Sequence, residues 1–277
     1  GPAAGLLSLF LYVFDPNIIA HSHLVTTDIY TLGMIVIFMY TYWLFSKEPT
    51  RVNAVKSATA FALSQLTKVT ALFLWPIIIL ISSLRWRLDA RRLRGWALPI
   101  LLYAVFSIVF INAGYFFNRT FQPLSSYVFR SLVFKDIQKA APRFLSLLPY
   151  PYLSGLDTQL DNQVSGNSFG NIYLLGKLQT KGPDYKGFKG YYLVTALFKC
   201  PITLQVFVIW ALWLSIKQKG RGFLEREVFL LVPVALFTLY FNFFFKMQVG
   251  LRYFLVVFPF LYIFCGSILA STRKLSI

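Results

Sequence analysis

The chain has 277 residues, of which 57% are hydrophobic and 13% charged, and its formal net charge is +17. A soluble domain of this length carries roughly twice that charged fraction, so the composition excludes an ordinary water-soluble globule. The basic excess sits in connectors beside apolar runs, and no nucleic-acid-binding motif appears, so nucleic acid is not an expected partner.

Apolar runs recur at 29–45, 96–117, 190–216, 228–245 and 253–271. Each is long enough to cross a bilayer core at about 1.5 Å per residue. The sequence therefore predicts an all-α fold: a polytopic transmembrane helical bundle with a large extracytoplasmic loop. The expected place is an integral, multi-pass position among membrane lipids. That means the plasma membrane of a bacterium or archaeon, or the endoplasmic reticulum of a eukaryote.

The opening "GPAAGLLSLFLYVF" is too short for a full span and has no charged flank, so it reads as the end of a helix whose beginning lies upstream. Asp15-Pro16 reads as a helix cap followed by proline in the first turn, starting a short interfacial helix over 16–24. Thr26 or Thr27 is expected to cap the next span, with Asp28 in its first turn. An acidic residue there also has an ordinary structural reading, as favourable charge at a helix N-terminus.

Three connectors are net basic: "SKEPTRVNAVK", "RWRLDARRLR" and "KQKGRGFLERE". The positive-inside bias puts all three in the cytoplasm. The apolar segment between the first two must then cross twice or dip and return. A hairpin over 54–83 is expected, turning at "SQLTKVT" with Lys68 at its tip near the outer face. One long tilted helix is the other reading.

Alternation then divides the chain into an N-terminal part of the membrane core (1–117), an extracytoplasmic loop (118–189) and three C-terminal transmembrane helices (190–277), with "TRK" (272–274) ending inside. The loop is rich in Gly, Asn, Tyr and Pro and has little periodicity. Such loops cover sites and select substrates. Asp157 and Asp161 within it could face a sugar, although solvated turn residues are the commoner outcome. "NRT" at 118–120 fits a glycosylation sequon. Cys200 and Cys265 both lie in apolar runs, which argues against a disulfide framework.

This topology gathers Asp15, His21, His23, Asp28, Lys68 and Arg252 at one boundary. Lys199, about nine residues into its expected helix, is costly there unless paired or facing water. Pro201 beside it should kink that helix and free a carbonyl. His21 and His23 point to opposite sides of a helix and make poor co-ligands for a metal. No cofactor is certain from the sequence; a divalent metal is one option.

Four stretches also resemble a known family. "DPNIIAHSHLVTTD" (15–28), "LSQLTKVTALFLWP" (63–76), "YLLGKLQTKGPDYKGFKGYYLVTALFKCPITL" (173–204) and "VGLRYFLVVFPFLYIFCG" (249–266) occur in the order found in lipid-carrier-dependent glycosyltransferases. These are the protein O-mannosyltransferase-like enzymes of glycosyltransferase family 39, with a GT-C-type fold. The resemblance implies transfer of a hexosyl or mannosyl sugar, usually with inversion, from a polyprenyl-phosphate donor to a protein or glycolipid acceptor.

It implies catalytic roles for Asp28 and His21. Lys68 and Arg252 are the expected ligands of the carrier phosphate, and Lys199, expected to meet a carboxylate or phosphate, and Tyr253 complete the candidate substrate-binding residues. The resemblance also places the family's first outer loop, with its acidic base, ahead of Gly1. The competing expectation is a transporter or flippase for a lipid-linked or anionic substrate, which would show interrupted helices meeting at mid-membrane.

Overall fold

A computed structural model describes residues 1–86, 97–165, 170–180, 185–217 and 227–269. Most of the chain in "RWRLDARRLR" and "KQKGRGFLERE", and all of "TRK", lies outside the described residues.

The fold is mostly helical. Helix α1 spans Pro2–Val13 and α2 spans Pro16–Ser22. Asp15 caps α2, its side chain accepting from the Asn17 amide at 2.8 Å. The chain bends by 63° between the two helices. Helix α3 (Asp28–Lys47) follows Thr27, whose side chain makes no cap bond; instead Thr31 Oγ1 donates to the Thr27 carbonyl at 2.7 Å.

Helix α4 (Arg51–Thr67) runs back along α3. Phe38 of α3 packs edge-on against Phe61 of α4, centroids 5.1 Å apart, and Ser64 Oγ donates to the Met34 carbonyl. At Lys68 the backbone is fully extended (φ −168°, ψ 151°), so the helix stops. A 3₁₀ turn, Val69–Phe73, leads into α5 (Leu74–Trp86). Gln65 Nε2 bonds the Ala71 carbonyl at 3.0 Å and holds the turn closed. The Tyr42 hydroxyl meets Ile78 and Ser82, and Arg85 reaches the Ser46 carbonyl. So α4 and α5 form a hairpin against α3 with Lys68 at its bend. Helix α6 (Ala97–Gly114) packs on α4, joined by Ser57 and the Tyr103 hydroxyl at 2.9 Å.

The region after α6 is folded. It holds α7 (Leu132–Ala140), α8 (Tyr150–Ser165) and a hairpin of β1 (Ile172–Leu174) with β2 (Lys177–Gln179). The two residues between the strands, Leu175 and Gly176, have φ of 45° and 80°, as a tight hairpin turn of the I′ kind requires. These strands and an isolated bridge between Pro123 and Leu145 are the departures from an all-α fold among the described residues. Leu124, Tyr127, Phe129 and Leu153 form a small separate core. Asp157, 1% exposed, ties this unit together. It accepts from the Arg130 and Ser131 amides and from Ser131 Oγ at 2.6–2.9 Å. Three donors of Arg130 and Ser131 already hold this buried carboxylate, which gives it a structural role rather than a solvated one.

The expected single helix 190–216 is two helices, α9 (Tyr191–Lys199) and α10 (Ile202–Lys217), bent by 115°. Pro201 has no N–H to donate and forces the preceding residue out of the helical region. Cys200 is accordingly extended (φ −81°, ψ 143°). The freed carbonyls find side-chain donors: Gln205 Nε2 bonds those of Leu197 and Cys200, and Asn17 Nδ2 bonds that of Lys199. The sequence pointed to a kink; competing donors turn it into a break. Lys199, nine residues into the segment as expected, therefore stands at a helix end and is exposed.

Helix α11 (Val228–Phe243) and a 3₁₀ stretch, Arg252–Val257, lead to α12 (Phe258–Cys265). Among the described residues, Asp28–Lys47 and Arg252–Leu269 are long and apolar enough to cross a membrane. The number rises to four if each bent pair counts as one span. Cys200 and Cys265 are both free and buried.

Candidate functional site

The centre of the site is Asp28, in the first turn of α3. Its side chain is 4% exposed and both oxygens are engaged. Lys68 Nζ lies 2.5 Å from Oδ1, and Arg252 Nε lies 2.7 Å from Oδ2. Three elements converge here: the start of α3, the bend of the α4–α5 hairpin, and the start of the segment that becomes α12. A carboxylate this buried is costly unless charged donors meet it, and here two do.

Tyr253 lies beneath them. Lys68 Nζ is 4.2 Å from its ring centroid and the Arg252 guanidinium carbon 5.9 Å. Lys68 belongs to no helix. Burial works against its ammonium and the Asp28 carboxylate opposes that; the net effect holds its pKa below the usual lysine value.

His21, in the last turn of α2, lies close enough for the charges of Asp28, Arg252 and Lys199 to bear on it. Its Nδ1 is buried and has no hydrogen-bond partner among the described residues. Lys199 Nζ lies 3.6 Å from the position a β-carbon would take on Gly250, two residues before Arg252. Gly250 has φ +51° and its amide donates to the Tyr191 hydroxyl at 3.1 Å. The turn 246–251 is further held by Tyr185 to the Lys246 carbonyl, Tyr192 to the Met247 carbonyl, and Gln248 bonding both ways to Phe188. These ties, with Asn17 bonded to the Lys199 carbonyl, bring α2, α9 and Arg252 to one corner.

No family model, curated protein or solved structure matches this chain. The site therefore has to be read from its own geometry.

Of the residues singled out in the sequence, Asp28, Lys68, Arg252, Tyr253, His21 and Lys199 stand together. Asp15 and His23 do not join them. Asp15 is 2% exposed and bonds Asn17 with one oxygen. Its other oxygen and the Tyr262 hydroxyl are both buried and lack a hydrogen-bond partner among the described residues. The observed structural role of Asp15 is the cap of α2.

Among the described residues no three His, Cys, Asp or Glu side chains cluster, and both Asp28 oxygens are bound to cations that a metal would have to displace.

Lys68 and Tyr253 also border a cavity of about 470 Å³. Its wall is mostly apolar side chains of the hairpin bend and α11, with Val133, Phe134 and Ile137 of α7 and Leu156 and Leu160 of α8 opposite, and Thr70, Gln159 and Gln163 as polar members. Sequence reasoning missed this wall. The one signal was the spacing of Val133, Phe134 and Ile137, three and four apart on one face of a short helix.

Proposed function

We propose that this chain forms part of a membrane glycosyltransferase, a multi-pass helical bundle with residues 118–189 on the extracytoplasmic face. It moves a sugar from a polyprenyl-phosphate carrier to an acceptor. One observation carries the reading: an apolar cavity ends on a lysine that shares a buried carboxylate with an arginine. A lipid phosphate has that polarity, an apolar tail leading to an anion. The four-segment resemblance to protein O-mannosyltransferase-like enzymes supports the same reading.

In this reaction the acceptor oxygen attacks the anomeric carbon from the side opposite the phosphate. The bond from that carbon to the phosphate oxygen breaks, its electron pair stays on the phosphate, and the acceptor's proton passes to a carboxylate. The phosphate gains charge as the bond breaks, so cations placed beside it favour the transition state over the ground state. Lys68, which borders the cavity, is suited to that task, and Arg252 stands on the other oxygen of the carboxylate they share. Asp28, with both oxygens bonded to cations, orients them rather than acting as the base. His21 offers a neutral-ring donor or acceptor at the acceptor's side.

A specific observation also favours a transporter. Two helix pairs are interrupted, at 63° and 115°, and their breaks are tied together through Asn17 and Lys199. Broken helices around a charged site are a transporter feature. The deciding experiment reconstitutes the full-length protein in liposomes with a short-chain polyprenyl-phosphate sugar labelled in the sugar. Transfer of label to an acceptor, with release of the polyprenyl phosphate, supports the enzyme. Intact donor crossing the bilayer without cleavage overturns it in favour of the transporter.

A further inference from the structure

The Asp28 carboxylate divides the site. Its Oδ1 side carries Lys68, which borders the apolar cavity. Its Oδ2 side carries Arg252. Arg252, Lys199 and His21 take no part in that cavity's wall.

The Oδ2 side has unspent donors. Arg252 uses Nε on Asp28, and its side chain is 33% exposed. The two Nη groups make no hydrogen bond among the described residues, and they form the planar fork that matches an oxyanion. Lys199 is exposed and makes no ion pair among the described residues. It is held beside Gly250 at the α9–α10 break. His21 adds a buried, unpartnered Nδ1. Two cations and an imidazole thus face one corner; the Asp28 carboxylate is shared with Lys68, and Asp15 is bonded to Asn17, whose side chain also bonds the Lys199 carbonyl.

Resting on the reading above, we infer that this corner is a second anion seat, separate from the seat of the carrier phosphate, and that the acceptor bears an anionic oxyacid group docked there. Lys68 belongs to the carrier side. Arg252, through Asp28, couples the two. An acceptor with a phosphate or carboxylate near its reacting hydroxyl would be held by the Arg252 fork and Lys199. Its hydroxyl would lie towards Asp28 and His21.

The test uses the full-length protein in nanodiscs of zwitterionic lipid. Inorganic phosphate and acetate report on the proposed seat, followed by ³¹P relaxation and by acetate competition. Farnesyl phosphate, compared with farnesol, reports on the carrier side by calorimetry. Lys199→Met should weaken phosphate roughly ten-fold, the loss of one charge-assisted hydrogen bond, and leave farnesyl phosphate within about two-fold. Lys199→Arg should restore phosphate. Lys68→Met should do the reverse, weakening farnesyl phosphate far more than phosphate. Acetate competing as well as phosphate assigns a carboxylate acceptor; phosphate favoured strongly assigns a phosphate.

The inference is overturned if Lys199→Met leaves phosphate binding unchanged, or weakens farnesyl phosphate and phosphate equally. Equal binding of farnesyl phosphate and farnesol by the unaltered protein would instead remove the carrier reading, while a phosphate loss specific to Lys199→Met would still stand. Lys199 is exposed, so its variants leave the packed core intact.

Discussion

Asp28 and Arg252 stand 224 positions apart in the chain and 2.7 Å apart in space. Lys68, on a different element again, completes the group from the other carboxylate oxygen. Three helix ends are held together by one buried charge. That ties stability and chemistry to the same side chains.

Asp28→Asn should therefore cost stability as well as function. The change leaves two cations facing each other with a neutral amide between them. Removing one partner of a buried ion pair costs about 3–5 kcal/mol, and the partial exposure of Arg252 brings the expectation to about 2–4 kcal/mol. Chemical denaturation followed by the fluorescence of the bundle checks this. Sugar transfer should fall by about 10² or more because the cations lose their positioning, with carrier binding equal or tighter because Lys68 is released to the phosphate.

Lys68→Met and Lys68→Arg should separate. Methionine removes the charge but keeps the length, leaving Asp28 with Arg252 alone. Arginine keeps the charge but is wider and has no space to form the same single short contact above Tyr253. Both should raise the KM for the donor, methionine more; steady-state kinetics on a short-chain donor give the comparison.

Gly250→Ala should destabilise by about 1–2 kcal/mol, because a side chain at φ +51° is strained. Its new methyl also meets Lys199 Nζ at ordinary contact distance, 3.6 Å. The loss should appear in the thermal midpoint, with a smaller effect on donor affinity than on any assay that depends on Lys199.

Asp157→Asn should loosen α7 without touching the ion cluster. Its carboxylate accepts three hydrogen bonds, and an amide nitrogen in place of one oxygen turns an acceptor into a donor facing a donor. A loss of about 1–3 kcal/mol in the local unit is expected. Hydrogen exchange should rise over 130–140 and stay unchanged over 28–47.

Much of the charge cluster was legible in the sequence, for a physical reason. Ionisable side chains at the ends of apolar runs are rare and expensive, so Asp28, Lys68 and Arg252 drew notice one by one. Their contact could not be read from any one segment, since it depends on how three elements pack. The α9–α10 break was half legible. Pro201 announced a kink, but the donors that stabilise a full break, Gln205 and Asn17, come from the next turn of chain and from another helix. Residues 118–165 were the least legible. Their core is small, their helices are short, and their organising residue, Asp157, reads as a solvated turn aspartate until its backbone partners are known.

In the proposed site Lys68 holds the lipid phosphate, with Asp28 fixing it from behind. Farnesyl phosphate binding, measured against farnesol on the full-length protein and on Lys68→Met, tests it most directly. The account predicts that the unaltered protein prefers the phosphate by at least about ten-fold, the worth of one charge-assisted contact, and that Lys68→Met erases most of that preference. Equal affinity for the two ligands, or a preference untouched by Lys68→Met, would contradict it.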